Sequence, residues 1–200
     1  MSDITTGADG LARCWWPGED LAYVAYHDDE WGRPLRDERA LFELMSLEAF
    51  QAGLAWITIL RKRPAFRVAF EGFDPATVAA YEEPDVDRLL GDAGIVRHRG
   101  KIAATIANAQ AVEALREEGS SLVDLLWSYA PAPRSAPLPD RDAIPALTPG
   151  SATLAKVLKQ RGFRFMGPTT TYALMQSAGL VDDHLAGCHR AAQGQADGAS

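Results

Sequence analysis

Apolar residues recur along this chain at the 3.6-residue period of an α-helix, and runs of alternating β-branched residues are almost absent. In residues 37–52 one such stripe has spacings of 4, 3 and 4. It consists of Leu41, Met45, the charged Glu48 and Ala52. Further helices are predicted over 74–81, 84–91, 100–117, 121–129, 151–161 and 169–178. The pattern therefore predicts an all-α protein of about eight helices.

The length of 200 residues, of which 47% are hydrophobic, suits one globular domain, predicted to span 13–190. Residues 1–12 and 191–200 are small and polar and are expected to be flexible. Six of the twelve prolines fall within 131–149, which predicts an extended connection because proline interrupts helices. An uncharged apolar run of about 18 residues and a secretory signal are both lacking, so we expect a cytoplasmic protein that does not span a membrane.

The charged residues are unevenly distributed along the chain. There are 20 Lys and Arg against 27 Asp and Glu, a net charge of -7, yet eleven of the cations lie in 61–67, 97–101 and 156–164. A basic face on an acidic body would neutralise a few phosphates of a nucleic acid. Three solvated loops that point in different directions are the alternative, and the sequence leaves both open.

Two cysteines and two histidines lie near the ends of the chain. Cys14 and His27 are near the start, and His184 and Cys188, four residues apart, are near the end. Two thiolates and two imidazoles suit a closed, tetrahedral zinc site of the structural kind, which would connect the two ends of the fold. The alternatives are four unrelated residues, or His189 as a competing ligand.

Glu48 is a charged residue on the apolar stripe of its predicted helix. Burying an unpaired carboxylate is costly, so this position indicates a specific partner. Trp56 follows after a turn at Gly53, and a carboxylate beside a flat aromatic side chain suits a cationic planar ligand. Tyr23 and Tyr26 share one helical face and would reach the same cavity. The alternatives are a Glu48 head group in water and tyrosines that belong to the core.

Residues 93–101, AGIVRHRGK, form a predicted turn between two helices. Exposed backbone amides and the dipole of the following helix would bind a phosphate there, supported by Arg97, Arg99 and Lys101. A basic helix connection without a ligand is the alternative. The sequence has no P-loop, dinucleotide-binding, GxSxG or HExxH motif, which disfavours nucleotide hydrolysis, hydride transfer and serine or metallohydrolase chemistry.

Six long motifs occur in order between Arg13 and Cys188: RCWW, YVAYHDDEWG, LFELMSLEAFQAGLAWITIL, DAGIVRHRGKI, RGFRFMGPT and LVDDHLAGC. Through these motifs the chain resembles the 3-methyladenine DNA glycosylase I family of constitutive bacterial alkylation-repair enzymes. The resemblance implies a helix-hairpin-helix glycosylase fold, with the hairpin at 94–101. It also implies one structural zinc ion per chain, bound by Cys14, His27, His184 and Cys188.

The same resemblance implies an activity and the residues that perform it. The activity is hydrolysis of the N-glycosidic bond of 3-methyladenine, flipped out of damaged double-stranded DNA, which leaves an abasic site without a lyase step. The implied base-pocket residues are Glu48, Tyr26, Trp56 and Tyr23. The implied DNA contacts are Gly53, Leu54, Arg97, Arg99, Gly100 and Lys101. We expect the protein to act as a monomer.

Two other functions fit the same residues. A zinc-containing DNA- or RNA-binding module would bind tightly and release no base, and a different N-glycosidic hydrolase would act on nucleosides or on another damaged base. The net charge favours a small substrate, whereas the clustered cations favour DNA. The hairpin also departs from the Pro-Gly-x-Gly pattern of the wider superfamily, so side chains would make more of its phosphate contacts.

Overall fold

Nine α-helices account for most of residues 3–191, the part of the chain that this computed structural model describes. Their bounds are α1 Leu21–Asp29, α2 Glu38–Gln51, α3 Trp56–Ala69, α4 Pro75–Ala79, α5 Glu83–Gly91, α6 Arg99–Glu117, α7 Leu122–Trp127, α8 Pro149–Gln160 and α9 Pro168–Ser177. An antiparallel pair of strands, β1 Ile4–Thr6 and β2 Ala12–Cys14, precedes them. The fold is therefore mostly helical, as predicted, with a small sheet added to it. None of these helices is both long and apolar enough to cross a membrane.

Short polar side chains mark where several helices begin. Asp37 accepts a hydrogen bond from Ala40 N at the start of α2, and Asp74 accepts one from Thr77 N at the start of α4. Pro75 occupies the first turn of α4, where its missing N–H would have no helical partner in any case. These caps place both helices where the sequence predicts them.

Helix α3 is not among the helices predicted from the sequence, because its second half is a basic stretch that contains Pro64. Proline cannot donate the backbone hydrogen bond of its position, which weakens a helix interior. Burial of Ile59, Leu60 and Phe66 on one side of α3 offsets that loss. Tertiary packing therefore overrides the local signal in this helix.

Part of the N-terminal segment 1–12, which the sequence predicts to be flexible, forms regular structure. Strand β1 forms within residues 1–12 and pairs with β2. Ile4 on β1 packs against a small apolar cluster that includes Leu185, near the other end of the chain. That long-range contact, which composition does not reveal, holds the strand in place. The other segment expected to be flexible, 191–200, lies outside the described residues apart from Ala191.

Helix α2 lies at the centre of the fold and is enclosed on almost every side. Nine of its 14 residues are buried, and helices α3, α6, α7 and α9 pack around it. Phe50 on α2 contacts the rings of Phe66 and Phe70, with centroids 4.7 and 5.9 Å away. All residues from Leu41 to Phe50 except Glu43 are buried, and a mostly apolar segment of this kind must be enclosed by its neighbours. Glu48, near the C-terminal end of α2, is thereby placed inside the protein.

The proline-rich connection 131–149 packs against the C-terminal segment instead of crossing solvent. Leu138 O accepts a hydrogen bond from Ala186 N at 2.7 Å. Arg134 forms an ion pair with the fully buried Asp183. These contacts brace the loop after α9, which carries two of the four predicted zinc ligands.

Candidate active site

Glu48 is a buried carboxylate, with 3% of its surface exposed. Ser177 Oγ, at the end of α9, donates a hydrogen bond to Glu48 Oε1 at 2.6 Å. Burial raises the pKa of Glu48 to about 7, and the hydrogen bond from Ser177 opposes that rise. A carboxyl group with this pKa changes its charge near neutral pH, as groups in binding and catalytic sites often do. A Glu48 head group in water is thus excluded.

Glu48 lines a cavity of about 170 Å³ whose walls are largely aromatic. The rings that line it belong to Trp16, Tyr23, Tyr26, Trp31 and Trp56. The Trp16 ring contacts those of Tyr23 and Trp31, with centroids 4.9 and 5.2 Å away. Five aromatic side chains and one carboxylate therefore line the same cavity.

Tyr26 and Trp56 supply two polar groups to this cavity, and their ring centroids are 5.4 Å apart. Burial, and next the charge of Glu48, raise the pKa of Tyr26 well above its ordinary value, so its phenol remains a donor at neutral pH. Trp56 Nε1 is buried and has no hydrogen-bond partner among the residues that the structure describes. Buried donors are normally paired, so Trp56 Nε1 indicates a place for a ligand atom.

A larger cavity, of about 510 Å³, lies along the proline-rich connection and is separate from Glu48. Its lining is mostly apolar and includes Trp127, Tyr172 and Arg134. Asp182, which also lines this cavity, already contacts His184 Nδ1 through its Oδ1 at 2.8 Å. Size therefore favours this cavity, but the buried carboxylate and the aromatic walls favour the smaller one as the site of chemistry.

A second buried cluster joins the two ends of the chain. One potential ligand atom from each of Cys14, His27 and Cys188 lies within 4.8 Å of the others, and Cys188 Sγ is 3.5 Å from His27 Nε2. The fourth predicted ligand, His184, packs its ring against His27 with centroids 5.0 Å apart. Its buried Nε2 has no hydrogen-bond partner within residues 3–191. The fold thus gathers three predicted ligands and places the fourth beside them.

Carboxylates orient both imidazoles of this cluster. Asp28 Oδ1 is 2.7 Å from His27 Nδ1, and Asp182 Oδ1 is 2.8 Å from His184 Nδ1. Each ring therefore keeps Nε2 free of these carboxylates, an arrangement typical of histidines that bind a metal. His189, the competing ligand, has its Nε2 3.0 Å from Asp28 Oδ1 and forms a second group of potential ligands with Asp28 and His27.

The residues predicted to bind DNA at the hairpin lie between α5 and α6 and in the first turn of α6. Arg97 and Gly100 are exposed, and Arg97 makes no ion pair among the described residues. Arg99 is also exposed, but it pairs with Glu83 and Asp87 of α5. Arg97 is therefore more available to a phosphate than Arg99.

Lys101 is buried, with 7% of its surface exposed, unlike the neighbouring cations. Its Nζ donates hydrogen bonds to Phe50 O at 2.8 Å and Ala52 O at 2.7 Å. These carbonyls lie at the C-terminal end of α2, so Lys101 supports the turn that follows. In that turn Gly53 has a φ of 84°, which favours glycine, and Leu54 is 39% exposed. The expected direct contact of Lys101 with DNA does not match this buried position.

Comparison with known proteins identifies the family, because the sequence model of the methyladenine glycosylases matches residues 16–191. This chain belongs to the methyladenine glycosylase family. It is 49% identical over 179 residues to DNA-3-methyladenine glycosylase 1 of Escherichia coli K12, which covers 89% of this chain and 96% of that protein. It is 46% identical over 177 residues to DNA-3-methyladenine glycosylase of Haemophilus influenzae, with coverage of 88% and 96%.

Solved structures extend the likeness of this methyladenine glycosylase to its fold. A crystal structure of 3-methyladenine DNA glycosylase I superposes with a TM-score of 0.86 at 50% identity, over 88% of this chain and 98% of that one. A variant of such an enzyme in complex with 3-methyladenine superposes with a TM-score of 0.85 at 37% identity, over 90% and 97%. The family resemblance and the prediction of a glycosylase are confirmed.

Part of the lining of the methyladenine glycosylase cavity is not predicted from the sequence. The residues missed are Trp16, Trp31, Gln51, Ala173, Gln176 and Ser177. Trp16 and Trp31 lie within RCWW and YVAYHDDEWG, so their place beside Tyr23 and Tyr26 in family motifs is a usable signal. Ser177 is 129 residues from Glu48 in the chain, and no local pattern connects the two.

Replacement of Lys101 by Met should lower the stability of this methyladenine glycosylase by about 2 kcal/mol, and its Tm by about 5 °C, because the carbonyls of Phe50 and Ala52 lose their donor. The salt dependence of duplex binding should be unchanged, since the Lys101 ammonium is turned inward. Arg97→Ala is the matched control, expected to keep the Tm and to lower the slope of log Kd against log salt by about 0.9. If Lys101→Met instead lowered the slope of log Kd against log salt and left the Tm unchanged, Lys101 would be a DNA contact.

Proposed function

We propose that this methyladenine glycosylase excises 3-methyladenine from alkylated double-stranded DNA, releasing the free base and leaving an abasic site. The main support for this proposal is the burial of the Glu48 carboxylate in an aromatic cavity. An anion in such a place is costly without a counter-charge, so the cavity favours a cationic, planar ligand. Methylation at N3 gives adenine a positive charge, whereas the undamaged base is neutral.

Three side chains recognise the base in this proposal. Glu48 accepts a hydrogen bond from the exocyclic amine and balances the charge of the ring. Tyr26 donates a further hydrogen bond, and Trp56 stacks on the ring, with Tyr23 at the wall. Neutral adenine leaves the charge of Glu48 uncompensated, which costs about 1–3 kcal/mol and disfavours its binding. The cavity thus discriminates by charge as well as by shape.

The charge on the base also weakens its bond to C1′ of the sugar. When this bond breaks, its electron pair returns to the base, which leaves as neutral 3-methyladenine without needing a proton. Water adds to the oxocarbenium-like C1′ and loses a proton, which completes the abasic site. No lysine lines the cavity within the described residues. We therefore propose a monofunctional enzyme without a lyase step.

The damaged nucleotide has to leave the DNA stack to reach this cavity. A volume of about 170 Å³ suits a base and not a duplex, and flipping costs least at a damaged pair. The turn that contains Gly53 and Leu54 connects α2, which carries Glu48, to α3, which begins at Trp56. We propose that this turn occupies the gap that the flipped nucleotide leaves in the DNA. The exposed Leu54 is the side chain that enters the gap.

Helices α5 and α6 and the connection between them form the proposed helix-hairpin-helix unit. The first turn of α6, a helix of 19 residues, offers free backbone amides and the positive end of a dipole to a DNA phosphate. Gly100 lies in this turn, and Arg97 adds an unpaired cation just before it. Arg99 contributes less, since Glu83 and Asp87 neutralise it.

We also propose that one structural zinc ion is bound by Cys14, His27, His184 and Cys188. Two thiolates and two imidazoles complete a tetrahedral shell that leaves no position for a substrate. The unpartnered Nε2 of His184 and the carboxylates that hold both Nδ1 atoms support this ligand set. The bound ion would connect β2 and α1 to the loop after α9 and would stabilise the fold without taking part in base release.

The rate of excision should depend on pH through Glu48. Burial holds the pKa of Glu48 at about 7, so the carboxylate that binds the cationic base is lost as the pH falls below that value. We expect kcat/KM on alkylated DNA to fall about tenfold per pH unit below neutrality and to level off above it. Initial rates of base release across this range measure the profile. A flat profile for the wild-type protein would contradict the assignment.

The raised pKa of Glu48 also makes the free energy of unfolding depend on pH, in the direction opposite to that of kcat/KM. Because the pKa of Glu48 is about 7 in the folded protein and 4.5 ordinarily, the folded state binds the proton more tightly than the unfolded chain. The contribution of Glu48 to the free energy of unfolding is therefore complete below pH 4.5 and declines as the pH rises toward 7. Glu48→Gln should lack both this decline and the inflection in kcat/KM.

One assay tests the proposed function directly. DNA treated with dimethyl sulfate is incubated with the protein, and the released bases are separated by chromatography. Release of 3-methyladenine well above that of 7-methylguanine is the expected result. Duplex binding without base release would favour a binding module, and release from methylated nucleosides but not from DNA would favour a small-molecule hydrolase.

A further inference from the structure

Phe165 is an exposed aromatic residue in the 163–166 loop, which lies between α8 and α9. It is 43% exposed, and its φ of 58° lies in the left-handed region that bulky side chains rarely adopt. A residue keeps such a conformation only where its surroundings impose it. The outward position of the Phe165 ring is therefore determined by the fold.

The side chain of Asn108, fully buried on α6, holds this loop. Asn108 Oδ1 accepts a hydrogen bond from Arg164 N at 2.7 Å, and Asn108 Nδ2 donates one to Arg164 O at 3.2 Å. On either side of these residues, Phe163 and Met166 are buried in the core. Phe163 and Met166 pack the loop against the core, whereas the Phe165 side chain is exposed.

The Phe165 ring lies over the first turn of α6. Its centroid is 6.3 Å from that of His98, which caps α6 by accepting a hydrogen bond from Lys101 N. A Cβ added to Gly100 would lie 3.8 Å from Phe165 Cζ. From the same turn of α6, Lys101 reaches the turn between α2 and α3. The 163–166 loop, the hairpin and the α2–α3 turn therefore meet at one end of α6.

Two exposed cations lie next to these aromatic residues in the chain: Arg164 precedes Phe165, and Arg97 precedes His98. Arg97 and Arg164 are exposed and form no ion pair within residues 3–191, whereas Arg99 and Arg161 are paired with acidic side chains. An exposed apolar ring whose neighbouring residues supply available guanidinium groups matches a surface that alternates phosphates with apolar sugar faces. That is the surface of a nucleic acid backbone.

We propose that Phe165 is a DNA contact whose ring packs on a deoxyribose of the strand that the end of α6 binds through its phosphate. This inference rests on the proposed function for the identity of the ligand, duplex DNA, and adds the 163–166 loop to the surface that binds it. Phe165 is not among the residues that line the Glu48 cavity. Its contribution is therefore to duplex affinity and not to the choice of base.

Phe165→Gly tests the proposal, because glycine adopts a φ of 58° readily and the Tm should stay at or above the wild-type value. We expect the Kd for a duplex with a tetrahydrofuran abasic analogue to rise about tenfold. Binding of free 3-methyladenine should be unchanged. Phe165→Tyr should keep wild-type duplex affinity, and Leu147→Ala, which removes another exposed apolar side chain, is the matched control.

Wild-type duplex affinity in Phe165→Gly would overturn the proposal, as expected for a ring that serves a protein partner. A parallel loss of free 3-methyladenine binding would also overturn it, since the effect would then lie in the cavity. Arg164→Ala should lower the slope of log Kd against log salt by about 0.9, and an unchanged slope counts against the contact surface. A wild-type protein that binds the duplex and releases no 3-methyladenine would refute the proposed function and leave this inference intact.

Discussion

Replacement of Glu48 by Gln should lower kcat/KM for 3-methyladenine excision about 100-fold. Glutamine preserves the size of the side chain and still accepts a hydrogen bond, but it carries no charge to balance the cationic base. Loss of a buried, charge-assisted interaction costs about 3 kcal/mol, which corresponds to that factor. Ser177 Oγ can donate to the glutamine oxygen as it does to Glu48, so the fold should be retained. Chromatography of the bases released from alkylated DNA measures the change.

Glu43→Gln is the matched control for this experiment. Glu43 is another carboxylate of α2, but it pairs with Arg67 near the surface and does not line the cavity. The control should excise 3-methyladenine at the wild-type rate, and both variants should contain as much zinc as the wild type. Glu48 would be removed from base recognition by a wild-type rate in Glu48→Gln.

Replacement of Cys14 or His184 by Ala should abolish zinc binding and lower the Tm by about 10 °C. The proposed ion connects strand β2 to the loop after α9, so its loss releases both ends of the chain. A cost of about 3–4 kcal/mol corresponds to a shift of this size in a chain of about 200 residues. Metal content per chain by mass spectrometry and thermal unfolding should change together in each variant.

His189→Ala is the matched control for the zinc ligands. His189 contacts Asp28 near the cluster, and its loss should leave one zinc ion per chain and a nearly unchanged Tm. If His189→Ala lost its zinc and His184→Ala retained it, His189 would be the ligand in place of His184. An unchanged melting curve for Cys14→Ala would argue against a structural zinc ion. Below its Tm, Cys14→Ala should still release base, because the ion has no part in the chemistry.

Most of the helices were predictable from the sequence, because amphipathic periods and caps such as Asp37 and Asp74 are local features. Helix α3 was not predictable in this way, since Pro64 and its neighbouring cations conceal an apolar side that becomes evident only against the core. Strand β1 is likewise not predictable from local sequence. Its stabilising contact, between Ile4 and the cluster around Leu185, joins distant parts of the chain.

The candidate site was partly predictable. A charge on an apolar stripe indicates Glu48, and the family motifs indicate Tyr26 and Trp56. The basic run around Lys101 indicated a DNA contact, yet the structure turns that ammonium inward to two backbone carbonyls. Charge patterns show how many cations a segment contains, but not which of them remain in solvent.

By itself, the sequence determined the helical class, the positions of most helices and the family, because periodicity, caps and ordered motifs are properties of neighbouring residues. The tertiary structure alone decided which distant groups meet: Ser177 with Glu48, Cys14 with Cys188, and Phe165 with the first turn of α6. The physical reason is that burial, and with it the pKa of Glu48, depends on every element packed around a group. No local stretch of sequence contains that information.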